Sequence, residues 1–126
     1  MSSNEYYSEA VRVLKEAELN CQNRNFYATT FLCKESAENI LRALHARQLQ
    51  REIPMDILVA LPRLAMPEEI RQKFETITRV YNPLYTKTSK FANDFISATK
   101  ELMQFYEKTG FAESASAQPG KKTGGS

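Results

Sequence analysis

Apolar residues recur every three or four positions along most of this chain, which is the period of one face of an α-helix. The pattern is longest from Asn25 to about Arg51, a stretch with neither Pro nor Gly. There Ala28, Phe31, Leu32, Cys33, Ala37, Ile40, Leu41 and Leu44 fall on one broad stripe. Asn25 can cap the start with its side-chain oxygen, and Pro54 stops continuation. At ~1.5 Å per residue such a helix runs about 40 Å, so the rest of a small domain must pack against it.

The flanking segments supply the partners. Ser2 followed by Glu5 reads as a capping box, and Tyr7, Val11, Leu14, Ala17 and Cys21 mark a first amphipathic helix from about Ser3 to Asn20. The polar run from Cys21 to Asn25 is a short turn, and short turns favour antiparallel helix neighbours. Pro54, Pro62 and Pro67 punctuate the next region. Within it, Met55 to Leu61 carries Ile57, Leu58, Val59 and Leu61, and it reads as a short helical lid over the core with Asp56 near its start. Pro67 suits the first position of a third long helix, with Glu68 and Glu69 in its first turn. Its stripe is Ile70, Phe74, Ile77 and Tyr81, and Asn82-Pro83 ends it. Thr88 or Ser89 can cap a last helix whose stripe is Phe91, Ala92, Phe95, Ala98, Leu102, Phe105 and Tyr106, with Gly110 as an αL cap. Nothing alternates apolar and polar like a strand, and no solenoid repeat is present. The expected fold is all-α: an antiparallel four-helix bundle over residues 3–110, with an extra short helix between the second and third long helices. Residues 111–126, rich in Ala, Ser, Gly and Lys, are expected to form a disordered tail.

Composition narrows the class. The chain has 126 residues, 42% hydrophobic and 25% charged, and a net charge of +2. That fits one soluble domain and lacks the basic excess of a general nucleic-acid binder. Cys21 and Cys33 form no C-x-x-C pair, and His45, the single histidine, completes no zinc site with them. Two free thiols, no leader pattern and no long apolar run predict a cytoplasmic protein away from the membrane.

Several residues carry candidate chemistry. Lys34, Glu38, Arg42 and His45 lie along one flank of the second helix. They can form the wall of a ligand groove, with Lys34 and Arg42 on phosphate and Glu38 orienting them. They can equally form a surface ladder of i,i+4 ion pairs, or meet their twins across a dimer axis. Tyr81 and Tyr85 near Arg79 can stack on a base, though a Tyr at the end of an apolar stripe is more often core. His45 reads as a surface or interface histidine rather than a general base. Met55, Met66 and Met103 read as gap fillers. Glu68, Glu69 and Glu75 lack the Glu-x-x-His sets of a di-iron bundle. Phosphate-loop, dinucleotide and nucleophile-elbow motifs are absent, and no cofactor is expected.

The run A-T-T-F-L-C-K-E-S-A-E-N-I-L-R-A-L resembles the central helix of HEPN domains, through Phe31, Lys34, Glu35, Ala37, Glu38, Leu41, Arg42, Ala43 and Leu44. Tyr81-Asn82-Pro83-Leu84-Tyr85 is similar to a Tyr-Pro-Arg-Tyr type segment of that family, one residue short and without the arginine. The resemblance implies a helical bundle that usually dimerises, often beside a nucleotidyltransferase, and that binds nucleotides or other polyanions. Many members are ribonuclease toxins of toxin–antitoxin systems, with an Arg followed after four to six residues by His. This chain departs from that pattern. From Arg79 the histidine would fall at Leu84, Tyr85 or Thr86; back from His45 the arginine would fall at Glu38, Asn39 or Ile40. The expectation is therefore a non-catalytic homodimeric module that binds a nucleotide, RNA or a nucleotidyltransferase-type partner. The alternatives are a diverged ribonuclease using Arg79, Tyr85 and His45, and a plain adaptor bundle.

Overall fold

A computed structural model describes residues 1–79 and 88–117. Its described elements are helices α1 (Ser3–Gln22), α2 (Phe26–Gln48), α3 (Glu68–Thr78) and α4 (Ser89–Ala117), with a 3₁₀ segment, Ile57–Arg63, between α2 and α3. The protein is an all-α helical bundle.

Local chemistry sets the helix ends. The Ser2 hydroxyl accepts from the Glu5 amide, and the Glu5 carboxylate accepts from the Ser2 amide at 2.8 Å, which is the reciprocal arrangement of a capping box. Thr88 Oγ1 accepts from the Phe91 amide at 3.1 Å and so starts α4. Asp56 Oδ1 accepts from Leu58 N at 3.0 Å at the head of the 3₁₀ segment. Asn25 precedes α2 but makes no side-chain cap. The chain reverses before it through Arg24, a non-glycine residue at φ 63°. Helix α3 stops at Thr78, short of Asn82-Pro83, which lies outside the described residues. Helix α4 continues through Gly110 to Ala117 rather than capping there.

Small residues bring α1 and α2 together. The Ser3 hydroxyl donates to the Ala43 carbonyl at 2.9 Å, Ser36 to Ala10 at 2.8 Å, and Thr29 to Ala17 at 3.3 Å. Each pair lies seven residues further along α1 and seven back along α2, so the helices run antiparallel with a heptad period. A hydroxyl on one helix reaches a backbone oxygen of the next only when the two backbones lie close, and Ala10, Ala17, Ser36 and Ala43 have no bulk to hold them apart. This seam buries one side of α2. Helix α4 and α3 cover adjoining sides with Phe95, Ile96, Leu102, Phe74 and Ile77, and the 3₁₀ segment covers the C-terminal end with Ile57, Ala60 and Leu61.

The lid is fastened at its C-terminal end. Gln48 donates to the Ala65 carbonyl at 3.0 Å and accepts from the Ala65 amide at 2.7 Å. Arg71 on α3 donates to the Leu61 and Leu64 carbonyls. These bonds hold the segment against α2 despite Pro62 inside it.

Three packing expectations change. Phe31 is 51% exposed instead of buried, because the seam with α1 centres the inner face of α2 on Thr29, Ser36 and Ala43 and turns Phe31 outward. Met55 is fully exposed ahead of the lid, whereas Met103 is buried and Met66 packs at the core edge. His45 is 2% exposed; it shares the flank of Lys34 and Glu38, but the lid closes over that end of the helix.

The seam gives a stability test. Ser36→Ala is expected to lower the unfolding free energy by about 1 kcal/mol, the net value of one intramolecular hydrogen bond. Ser36→Leu is expected to cost a further ~1–3 kcal/mol or more by forcing the helices apart. Urea denaturation of the two variants measures the difference, and equal midpoints for Ala and Leu would contradict the close packing.

Candidate binding face on the second helix

The outward flank of α2 begins at Tyr27 and runs through Phe31, Lys34, Glu38 and Arg42 to the lid. Lys34 Nζ lies 2.8 Å from Glu38 Oε2, both side chains being partly buried. That is the i,i+4 pair the spacing allows, and it neutralises the cation. Arg42 Nη1 donates to Asn39 Oδ1 at 3.0 Å rather than to Glu38. The four flank residues therefore do not converge on one point. Lys34 and Glu38 satisfy each other, Arg42 turns to its own helix, and His45 is inside.

His45 is an unusual core residue. Its Nδ1 is buried with no hydrogen-bond partner. Burial, and then the positive charges of Arg63 and Arg51, hold its pKa below the ordinary 6.5. The imidazole is thus neutral at pH 7 and withdrawn from solvent, which removes it as a general acid or base for an external substrate. Arg79 caps the end of α3 and lies 3.8 Å from Glu75. Tyr81 and Tyr85, the expected stacking pair beside it, lie outside the described residues.

Two aromatic groups do more than their apolar stripes show. Tyr106 of α4 is 3% exposed and ties three helices. Its hydroxyl meets the Ser3 hydroxyl, its ring stacks on Tyr7 at 4.5 Å, and the Arg47 guanidinium lies 3.7 Å from its centroid while donating to its carbonyl at 3.0 Å. Tyr7 donates to Glu107; burial first, then that carboxylate, raises the Tyr7 pKa far above the phenol range. The cluster is a structural pin that joins α1, α2 and α4. The second group is exposed. Tyr27 and Phe31 meet edge to face with centroids 4.8 Å apart, beside a hollow of about 390 Å³ lined by Arg24, Asn25, Phe26, Tyr27 and Ala28.

Other chemistry is sparse. Cys21 and Cys33 are free thiols; burial pushes the Cys33 thiol up to about 12, which leaves it inert. Among the described residues no cluster of His, Cys, Asp and Glu is placed to hold a metal ion, and no helix is long and apolar enough to cross a membrane.

A sequence-family model described as HEPN domain matches residues 3–109. The chain belongs to the HEPN family. Comparison with curated proteins and with solved structures returned no significant match. In this HEPN domain the sole histidine is His45, and the segment where a histidine after Arg79 would stand lies outside the described residues.

The buried imidazole makes stability depend on pH. Its folded pKa is below the unfolded value, so the unfolded state takes up the proton first. Stability is full above about pH 6.5 and falls as the pH drops through and below that value. The parent protein is expected to lose denaturation midpoint between pH 7 and pH 5.5, and His45→Gln to show a flatter profile across that range. Equal slopes would show that His45 does not titrate against folding.

Proposed function

We propose that this HEPN domain is a non-catalytic binding module that acts as a homodimer and takes a nucleotide or another polyanion, or a nucleotidyltransferase-type partner. The observation that carries the reading is His45. The usual ribonuclease chemistry of the family needs an imidazole beside an arginine at an open groove, and the one imidazole here is 2% exposed, neutral and enclosed by the lid. Without it, proton transfer to or from a ribose hydroxyl has no histidine to carry it. What remains useful is a set of cations on helical faces and exposed aromatic rings, the equipment of recognition rather than turnover.

Three measurements test this reading. Incubation with mixed RNA is expected to leave the RNA intact; cleavage that disappears in Arg79→Ala would overturn the non-catalytic assignment. Nucleotides added during thermal denaturation are expected to raise the melting temperature, since a ligand that binds only the folded state stabilises it. Sedimentation equilibrium is expected to give a dimer. A strict monomer with no nucleotide-dependent shift would remove the proposal.

A further inference from the structure

Near the corner where α1 turns into α2, Tyr27 and Phe31 stand one turn apart on the outward side of α2. Tyr27 is 46% and Phe31 51% exposed, so both rings offer surface to solvent. The adjoining hollow holds Arg24, whose guanidinium lies 5.5 Å from the Phe26 ring centroid and has no carboxylate partner among the described residues.

The nearby charges divide unequally. Lys34 is held by Glu38, Arg12 by Glu9 and Glu16, and Lys100 by Glu18. Arg24 is left as the uncompensated cation beside the rings. Single exposed apolar residues need no explanation. Two touching rings, a hollow and an open guanidinium in one place do, because they match the parts of a nucleotide. A ring face stacks on any nucleobase, and a guanidinium holds phosphate through parallel N–H donors. Area decides against a protein partner as the main occupant. Two half-exposed rings offer roughly 200 Å², well under the ~800 Å² per partner of a stable interface.

We propose that this corner is a nucleotide site: the base lies against Tyr27 and Phe31, and the phosphate lies on Arg24. This deepens the nucleotide-binding reading above and rests on it. The same chemistry is offered by a free nucleotide and by a single-stranded RNA, and the test separates them.

The full chain is titrated with AMP by calorimetry and with a labelled short oligoadenylate by fluorescence anisotropy. The variants are Tyr27→Ala, Phe31→Ala and Arg24→Gln, with Val59→Ala on the exposed lid surface as control. All four residues are exposed, so the fold is expected to persist, and a thermal melt checks it. Each ring variant is expected to weaken binding about 5- to 100-fold. Arg24→Gln is expected to weaken it and to flatten its salt dependence, while Val59→Ala stays within about twofold of the parent, the scatter of an inert surface change. Ring-dependent binding of AMP identifies a free-nucleotide site; ring-dependent binding of the oligomer alone identifies a strand site. Binding that persists undiminished in the ring variants overturns this placement and leaves the proposed function standing. No binding of either probe overturns this site and the nucleotide part of the proposed function, and a dimer broken by Tyr27→Ala without nucleotide binding reassigns the corner to self-association.

Discussion

The close approach of α1 and α2 is the constraint on which the rest of the molecule depends. Ala10, Ala17, Ser36 and Ala43 keep the two backbones near each other, and three hydroxyl-to-carbonyl bonds lock the register at seven-residue intervals. A slip of one helix past the other would break all three bonds at once and set larger side chains against the opposing backbone. With that side of α2 committed, the directions of its other residues follow from the helical period. Leu41 and Leu44 face inward, and Tyr27, Phe31 and Arg42 lie on the other side. The proposed binding face is what the seam leaves over.

The lid acts on the same flank from the other end. Lys34 and His45 occupy nearly the same angle around α2, eleven residues apart, yet one is partly open and the other enclosed. The difference is the 3₁₀ segment held by Gln48 and Arg71. It goes with a change from a partly open position at mid-helix to a buried one at the helix end. Beneath the lid, the His45 ring has lost water and gained no partner at Nδ1, a desolvation cost that better-packed elements of the bundle must offset.

The large apolar residues made most of the fold legible in the sequence. Leu14, Ile40, Leu44, Phe74, Phe95 and Leu102 stand where their periodicity puts them, and the spacing of Pro54, Pro62 and Pro67 located the lid. The misplaced residues share one cause. Weighting Phe31 by its hydrophobicity drew the inner face of α2 toward it, whereas Ser36 and Thr29, polar by type, lie fully buried. The repeat of small residues at 29, 36 and 43, matched by 3, 10 and 17, carries that signal, but its meaning requires the two helices to be paired first. His45 was illegible for a related reason. Its burial is imposed by a segment more than ten residues away, and no local pattern records it. The candidate site was readable as residue types on a flank; which of them pair with each other is a matter of geometry.

The pin at Tyr106 has an architectural outcome beyond stability. It sets Ser3, at the head of the bundle, against a residue of the last helix only a few positions before the family match ends. The start of α1 and the end of the family match therefore lie near each other on one end of the domain. Such an arrangement lets a domain sit within a loop of a host chain, or be re-cut at an internal turn after its ends are joined, with a short connector and little disturbance to either fold.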